Sequence, residues 1–545
     1  MKSAAERLFR ALLLLVSAMG LFAMQSAANP SLKDQSSIGM GLSGIADWST
    51  QFPFLNIMRS SREWYDWDRN SPEGIVVDEY GELVSVEAGV RPAVVFLTNI
   101  EEHPIVYDRY IVRWKGAGGI EYDWCAKKVG ESNGGDVIET REDSCLIRVS
   151  SFDPSDPIRE IEVVPAKFIE NYDRGEVFNP DFLANIGRFR ALRFMDWMIT
   201  NGSTQNLWSD RPTPKHRSFA QKGVPIEYMV RLANELGSDP WFNMPHLATD
   251  QYIKNFAEVV QNSLDKNLTA YVEYSNEVWN WLFPQSQYAL KASRELWDKE
   301  GDAYMQWHGM KTANICKIWK NEVFLEEKHR VNCVLGAHAT WPGLETSSLD
   351  CPLWKENKGS CQDHGIDSVA IAAYFTGCIN TYENDLGQRK VEEWLNESDG
   401  GLQKAFEQAF DSRHFPCEFS AAEMEKVYAY HVGVARSRGL QVLAYEGGQH
   451  ITGNFEETQT DQRFIALHIG LNRDERMRRL YERNFKSWRD AGGGLFFHFV
   501  DVSVPGQYGS WGALEYVTQP TSPKWEALLN MNAQPCWWDH CVENK

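Results

Sequence analysis

The sequence predicts an α/β protein built on a (β/α)8 TIM barrel, with a small all-β sandwich inserted after the first barrel strand. Three observations lead there. Eight short apolar runs recur along the chain, amphipathic segments of helical period separate most of them, and the interval between the first two runs is far too long for one helical crossover. The runs lie at 38–44, 191–196, 240–246, 270–277, 333–339, 368–374, 441–447 and 494–500. Between them, the segments 226–236, 252–264, 304–319 and 422–438 repeat their apolar residues at helical spacing.

The exceptional interval holds alternating segments at 82–86, 93–98, 108–114, 145–149 and 158–165, punctuated by Gly, Asn, Asp and Pro. That pattern predicts a small antiparallel sandwich at about 66–172. The Gly-rich, polar stretch 116–135 reads as a loop within it. The expected organisation is therefore a leader at 1–28, the first barrel strand and its following segment at 29–65, and the insert at 66–172. The remaining barrel follows at 173–535, with a tail at 536–545 closed by a small disulfide loop.

At 545 residues, 43% hydrophobic and 24% charged, the chain can bury a substantial core. Its formal charge of −20 argues against nucleic acid or an anionic bilayer as a partner. The first residues have the parts of an export signal: Lys2, Arg7 and Arg10, then an apolar run at 11–22, then Ser26 and Ala28, with cleavage expected after Ala28. The apolar run is short for a membrane core, which needs ~20 residues, and no later stretch could span. A secreted or periplasmic protein is expected, acting as a monomer. Ten cysteines in an exported chain read as disulfides rather than metal ligands. Near-neighbour pairing, Cys125 with Cys145, Cys316 with Cys333, Cys351 with Cys361, Cys378 with Cys417 and Cys536 with Cys541, would staple loops locally.

Two familiar patterns carry little here. Gly39-Met-Gly41-Leu-Ser-Gly44 matches a dinucleotide fingerprint, but the polar residues before it and Ile45-Ala-Asp-Trp after it deny the strand–turn–helix context the fingerprint requires. Gly130-Glu-Ser132-Asn-Gly134 matches a nucleophile elbow yet falls in a polar stretch of the insert, which disfavours an esterase.

The informative segments are 271–281, Tyr-Val-Glu-Tyr-Ser-Asn-Glu-Val-Trp-Asn-Trp, and 443–450, Leu-Ala-Tyr-Glu-Gly-Gly-Gln-His. Each ends an apolar run with a carboxylate, Glu277 in one and Glu446 in the other. Residues at the carboxyl ends of barrel strands point into the mouth where barrel enzymes keep their chemistry. Glycoside cleavage needs such a pair, one group to protonate the leaving oxygen and one to attack or stabilise the sugar centre. Asn-Glu recurs at 234, 276, 321 and 396, but only the copy at 276 follows a strand-like run and precedes aromatics.

On these residues the chain resembles the clan A glycoside hydrolases, retaining (β/α)8 enzymes, over residues 38 to about 530, with the insert left unexplained. The resemblance implies that Glu277, preceded by Asn276, is the acid/base at the end of the fourth strand, and that Glu446 is the nucleophile at the end of the seventh. It implies further that Arg193 hydrogen-bonds the nucleophile, that His246 contacts substrate, that Tyr374 donates to the nucleophile and that Asn276 holds the sugar 2-hydroxyl. A hydrogen-bonded structural histidine fits His246 equally, and a core tyrosine remains an alternative for Tyr374. The clan's eighth-strand Trp has no clear counterpart, and Trp511 in the next loop is the candidate replacement. Trp48, Trp197, Trp279, Trp281, Trp341 and Trp511 follow barrel strands and are expected sugar platforms, with about half of such indoles belonging to the core instead.

The resulting expectation is a secreted retaining glycoside hydrolase without cofactor or metal, acting on a polysaccharide or oligosaccharide. Long loops at 201–222 and 340–365 favour a cleft and endo action, although they could also close an exo pocket. A catalytically silent carbohydrate-binding scaffold is the alternative.

Overall fold

In the computed structural model the described residues are 36–538, apart from 101–102, 142, 356–358, 380–384 and 454–455. The expected leader, Cys541 and most of the expected tail lie outside the described residues.

Eight parallel strands close a barrel in sequence order: β1 (Ile38–Gly41), β2 (Ala191–Arg193), β3 (Asp239–Met244), β4 (Ala270–Tyr274), β5 (Val331–Ala337), β6 (Ser368–Phe375), β7 (Gln441–Gln449) and β8 (Phe496–His498). Each falls in or across one of the eight apolar runs. β8 returns to β1, with Ile38 opposite Phe496 and Met40 opposite His498. Strand side chains alternate between the two faces, so Trp241, Tyr271, Leu443, Leu495 and Phe497 meet inside the barrel in one buried cluster. Trp241 stacks on Tyr271 at 5.4 Å and meets Phe497 edge-on at 5.1 Å.

This interior explains the discounted glycine pattern. A Cβ on Gly39 would stand 2.6 Å from the Phe497 ring, so glycine is present because an aromatic side chain fills the space across β1. Trp538 joins the same interior cluster, and the Trp537 indole N–H donates to Gly493 O (2.9 Å) just ahead of β8. Trp537 and Trp538 thereby pack on the end of the barrel where the strands begin.

Helices cover the outside. Ile226–Leu236 buries Met229, Val230 and Ala233 and stops at Gly237, which takes the left-handed conformation (φ 61°) of a helix C-cap. Asp250–Ser263 starts where Thr249 accepts a hydrogen bond from the backbone N–H of Tyr252. Among the described residues no helix is long and apolar enough to cross a membrane.

Between β1 and β2 lie two four-stranded antiparallel sheets and a two-stranded hairpin. One sheet orders Tyr65–Asp66, Pro92–Thr98, Ser144–Phe152 and Gly118–Trp124; the other orders Arg159–Pro165, Arg109–Lys115, Gly135–Glu139 and Lys127–Ser132. Val94, Phe96 and Ile147 from the first pack with Val112, Ile138 and Val163 from the second in one core. The stretch 116–135 is a correction: it is not a loop but holds the edge strands Gly118–Trp124 and Lys127–Ser132. Lys127–Ser132 is exposed along its whole length, so no buried face imposes the alternation by which strands are recognised. Ser132 therefore ends an exposed edge strand, not the buried strand-to-helix turn a nucleophile elbow requires.

The insert is clasped by the loop after β2. Arg217, buried in that loop, donates to Gly81 O (3.1 Å), Ser61 Oγ (2.6 Å) and Arg62 O (2.8 Å), and its guanidinium lies over Trp64 at 5.3 Å. Disulfides join Cys125 to Cys145, Cys351 to Cys361 and Cys378 to Cys417. The expected Cys316–Cys333 bond is a correction: both are buried free thiols beside one another, Cys316 on a helix and Cys333 on β5.

Substituting Gly39→Ala should force the Phe497 ring aside and destabilise the fold by about 1–3 kcal/mol. The measurement is a lower urea midpoint at unchanged m-value.

Candidate active site

Arg193 occupies the last position of β2 and is buried in the barrel mouth. Its Nη2 donates to Glu273 Oε2 of β4 (3.0 Å) and to Asn276 Oδ1 (2.8 Å), and its Nη1 donates to Glu446 Oε2 of β7 (3.1 Å). The guanidinium also lies over the rings of Tyr445 (5.0 Å) and Trp241 (5.6 Å). A buried guanidinium is tolerable only when its charge is paired in this way. Glu273 is in turn held by the Trp241 indole N–H (2.9 Å) and by Asn243 Nδ2 (2.7 Å), which also donates to Ser275 O.

Two backbone irregularities aim the candidate carboxyls. On β7 the ladder to β6 slips: Ala444 pairs with Ile371 and Glu446 with Ala372, so Tyr445 has no partner. In regular alternation adjacent residues face opposite sides, and this bulge lets both Tyr445 and Glu446 face inward. Beyond β4, Ser275 and Glu277 take left-handed φ values of 58° and 42°. Non-glycine residues seldom adopt that conformation, and it is characteristic of strained functional turns.

The turn brings Glu277 Oε1 to the Tyr445 hydroxyl, which donates to it (2.9 Å), while Asn280 Nδ2 donates to Oε2 (3.1 Å). Glu277 and Glu446 lie close enough to share a hydrogen bond, and the Tyr374 hydroxyl of β6 contacts Glu446. Burial pushes Glu277 above the usual carboxylate range. Burial, and then the charge of Glu277, pushes Glu446 up to about 8, with Arg193 pulling the other way. Asp196, just beyond β2, adds a third carboxyl that burial pushes up to about 6.

Other expected residues divide. Asn276 is locked, accepting from Arg193 and donating through Nδ2 to Asn201 Oδ1 (3.1 Å), while Gln285 Nε2 braces both Asn201 Oδ1 (2.6 Å) and the Asn276 carbonyl (2.8 Å). His246 sits two residues beyond β3 against Tyr288, its Nδ1 buried without a hydrogen-bond partner in the fold, and burial pushes it down to about 4. Trp511 reaches back over the mouth to meet Tyr374 at 6.1 Å and His450 at 4.9 Å. Trp279 packs on His338 at 4.1 Å, and the exposed Trp341 meets the exposed Trp281 at 6.0 Å. Trp48 is exposed in the loop after β1, with the Arg62 guanidinium 5.8 Å over its ring.

Trp197 is a correction. It is fully buried against Phe54, Phe182 and Phe194, a core side chain that no sugar can reach.

Sequence reasoning missed Glu273, Asn243, Tyr445, Asn280, Asn201 and Gln285. Glu273 stands inside one informative segment in register with Glu277, which was the available signal, whereas Tyr445 stands inside the other but regular alternation from Glu446 would turn it outward. Asn201 and Gln285 offered none, because loop and helix residues reach this site only through the closed barrel.

No family model matches the chain, and no curated protein does. Solved structures similar to it include the GH51 arabinofuranosidase from Xanthomonas axonopodis pv. citri, at 10% identity, 66% of this chain, 67% of the other and a TM-score of 0.40. A GH5-4 broad specificity endoglucanase from Bacteroides salanitronis matches at 10% identity over 66% of this chain and 84% of the other, with a TM-score of 0.35. A GH10 endoxylanase retrieved from a sugarcane soil metagenome matches at 11% identity over 64% and 90%, with a TM-score of 0.32.

Glu273→Ala should strand part of the Arg193 charge together with the Trp241 and Asn243 donors, and cost about 3–5 kcal/mol. Urea unfolding checks this, with Glu273→Gln, which keeps an acceptor, expected to lose less.

Proposed function

We propose that the protein is a retaining glycoside hydrolase that cleaves a polysaccharide by double displacement. The observation that carries the reading is the pairing of two interacting carboxyls whose partners differ: the buried Glu446 is ion-paired to Arg193 and touched by Tyr374, while the half-buried Glu277 receives neutral donors from Tyr445 and Asn280.

Two carboxyls this close titrate as a unit. Low solvation and mutual repulsion hold one proton on the pair above the usual carboxylate range. The guanidinium assigns the remaining charge to Glu446, so the proton rests on Glu277. Glu277 then protonates the glycosidic oxygen as Glu446 attacks the anomeric carbon. In the second step Glu277, now ionised, takes a proton from water, and the attacking oxygen displaces Glu446 from the sugar. Asn276, fixed by Arg193 and Asn201, is placed to hold the 2-hydroxyl, and Trp511, Trp281 and Trp341 offer flat faces to pyranose rings. Aromatics on separate loops suit an extended polymer, hence endo action, and the disulfides suit an exported enzyme.

Glu446→Gln should abolish reducing-end release from the polymer that the wild type cleaves. Glu277→Gln should lower it by about 10²–10⁴-fold and leave more activity on substrates whose leaving group needs no proton. Release that survives either change at wild-type rate would refute the assignment.

The pH profile should be bell-shaped. Activity needs one proton on the pair, so it falls at low pH as Glu446 becomes protonated and falls again at alkaline pH as Glu277, which burial holds above the usual carboxylate range, ionises. The Tyr445 hydrogen bond favours ionised Glu277. Removing it in Tyr445→Phe should therefore move the alkaline limb to higher pH, as measured by kcat/KM against pH.

A further inference from the structure

The two outer faces of the inserted sandwich differ. On one sheet, Ile111 and Val164 are covered by Leu55 and Ile169. The other sheet keeps an open face on which Tyr65 and Trp67 rest upon Ala93, Val95 and Leu146. Trp124 stands beside Trp67 with ring centroids 5.7 Å apart and planes at 52°, and it is 54% exposed. Its φ is 60°, a conformation that a bulky residue rarely takes, and its neighbour Cys125 is pinned to Cys145. The chain thus holds an indole out in solvent on a stapled, unfavourable backbone.

Fixed polar groups flank these rings. The Arg148 guanidinium lies 5.9 Å from the Trp67 ring and donates to Asp123 (2.9 Å) and Glu121 (2.6 Å). Arg91 makes a two-pronged pair with Asp68 at the other side.

We propose that this face is a second carbohydrate-binding site, which holds a stretch of an uncharged polysaccharide apart from the catalytic mouth. Pyranose rings stack on Trp67 and Trp124, and sugar hydroxyls bond to Arg148, Asp123 and Glu121. The occupant follows from the chemistry of the face. Flat indoles match the apolar faces of sugar rings, while planar guanidinium and carboxylate groups match their rim of hydroxyls. Asp68, Glu121 and Asp123 are each ion-paired, so the face presents little net field, and the overall charge of −20 repels an anionic polymer. A protein partner would meet ion pairs at the centre of the patch, where protein interfaces are depleted of charge.

The site rests on the catalytic reading only for the choice of polymers, and the test separates the two. The full chain carrying Glu446→Gln, which cannot consume its ligand, is run by affinity electrophoresis through cellulose derivatives, xylan, mannan, mixed-linkage β-glucan and polygalacturonate. At least one neutral polymer should retain it, and adding Trp124→Ala or Trp67→Ala should weaken that retention about tenfold, as expected for loss of one stacking ring. Trp124→Tyr should restore most of it. In the Glu446 background, Trp124→Ala should leave kcat on a small aryl glycoside unchanged. A thermal unfolding midpoint equal to the parent's confirms that each variant is folded, and the exposed Trp124 keeps the test valid should Trp67→Ala not fold.

Retention by no neutral polymer, retention unaffected by either tryptophan change, or stronger retention by polygalacturonate would overturn the proposal. Failure of the catalytic reading would appear instead as absent hydrolysis with tryptophan-dependent retention intact.

Discussion

The site depends on burying one guanidinium. Arg193 stands at the end of β2, inside a barrel, where an unpaired charge would be ruinous. Its partners come from β4 and β7, and only the closed barrel brings those strands across the mouth from β2. Glu273 serves as the structural counter-charge, fastened by Trp241 and Asn243, while Glu446 shares the same cation but faces the open mouth. One cation thus sets two carboxylates apart: the first is consumed in holding the second. Glu277 makes no ion pair and takes its hydrogen bonds from the neutral Tyr445 and Asn280, and in the proposed mechanism this difference in partners separates a proton donor from an attacking group.

Local backbone serves this arrangement. The β7 bulge sends two neighbouring residues to the same side, so Tyr445 can bond Glu277 while Glu446 bonds Arg193. The left-handed residues after β4 turn Glu277 back over the mouth. Away from the chemistry, the barrel interior is solid aromatic and aliphatic packing, closed at its far end by the C-terminal tryptophans. Such a base holds strand ends still. The insert is bound to the barrel by Arg217 and by the apolar contacts of one of its sheets, which leaves the other sheet's aromatic face free.

Much of this was legible in the sequence where burial imposes a pattern. The eight barrel strands are largely buried on both faces and rich in apolar residues, as parallel strands are, and they stood out as runs. Glu277, Glu446 and Arg193 could be singled out because a charge within or closing such a run needs a reason. The edge strand at 127–132 was hidden because solvent on both sides removes alternation, and that at 118–124 because it is only partly buried, with Ile120 and Tyr122 against the core. Trp197 misled because an indole just after a strand looks alike whether it turns to the mouth or, as here, into the layer between sheet and helices. Near-neighbour spacing identified three disulfides, yet it could not tell that Cys316 and Cys333 sit side by side unbonded. Glu273 and Tyr445 needed register, and the bulge that sets the register of Tyr445 leaves no mark in composition.

The most direct test is to trap the reaction midway. A slow 2-fluoro analogue of the released sugar, incubated with the wild type, digested and mapped by mass spectrometry, should leave one glycosyl adduct on Glu446. Its turnover should be slowed in Glu277→Gln, which lacks the base to activate water. An adduct on any other residue, or active enzyme that releases product of inverted anomeric configuration without an adduct, would contradict the proposed division of roles between Glu446 and Glu277.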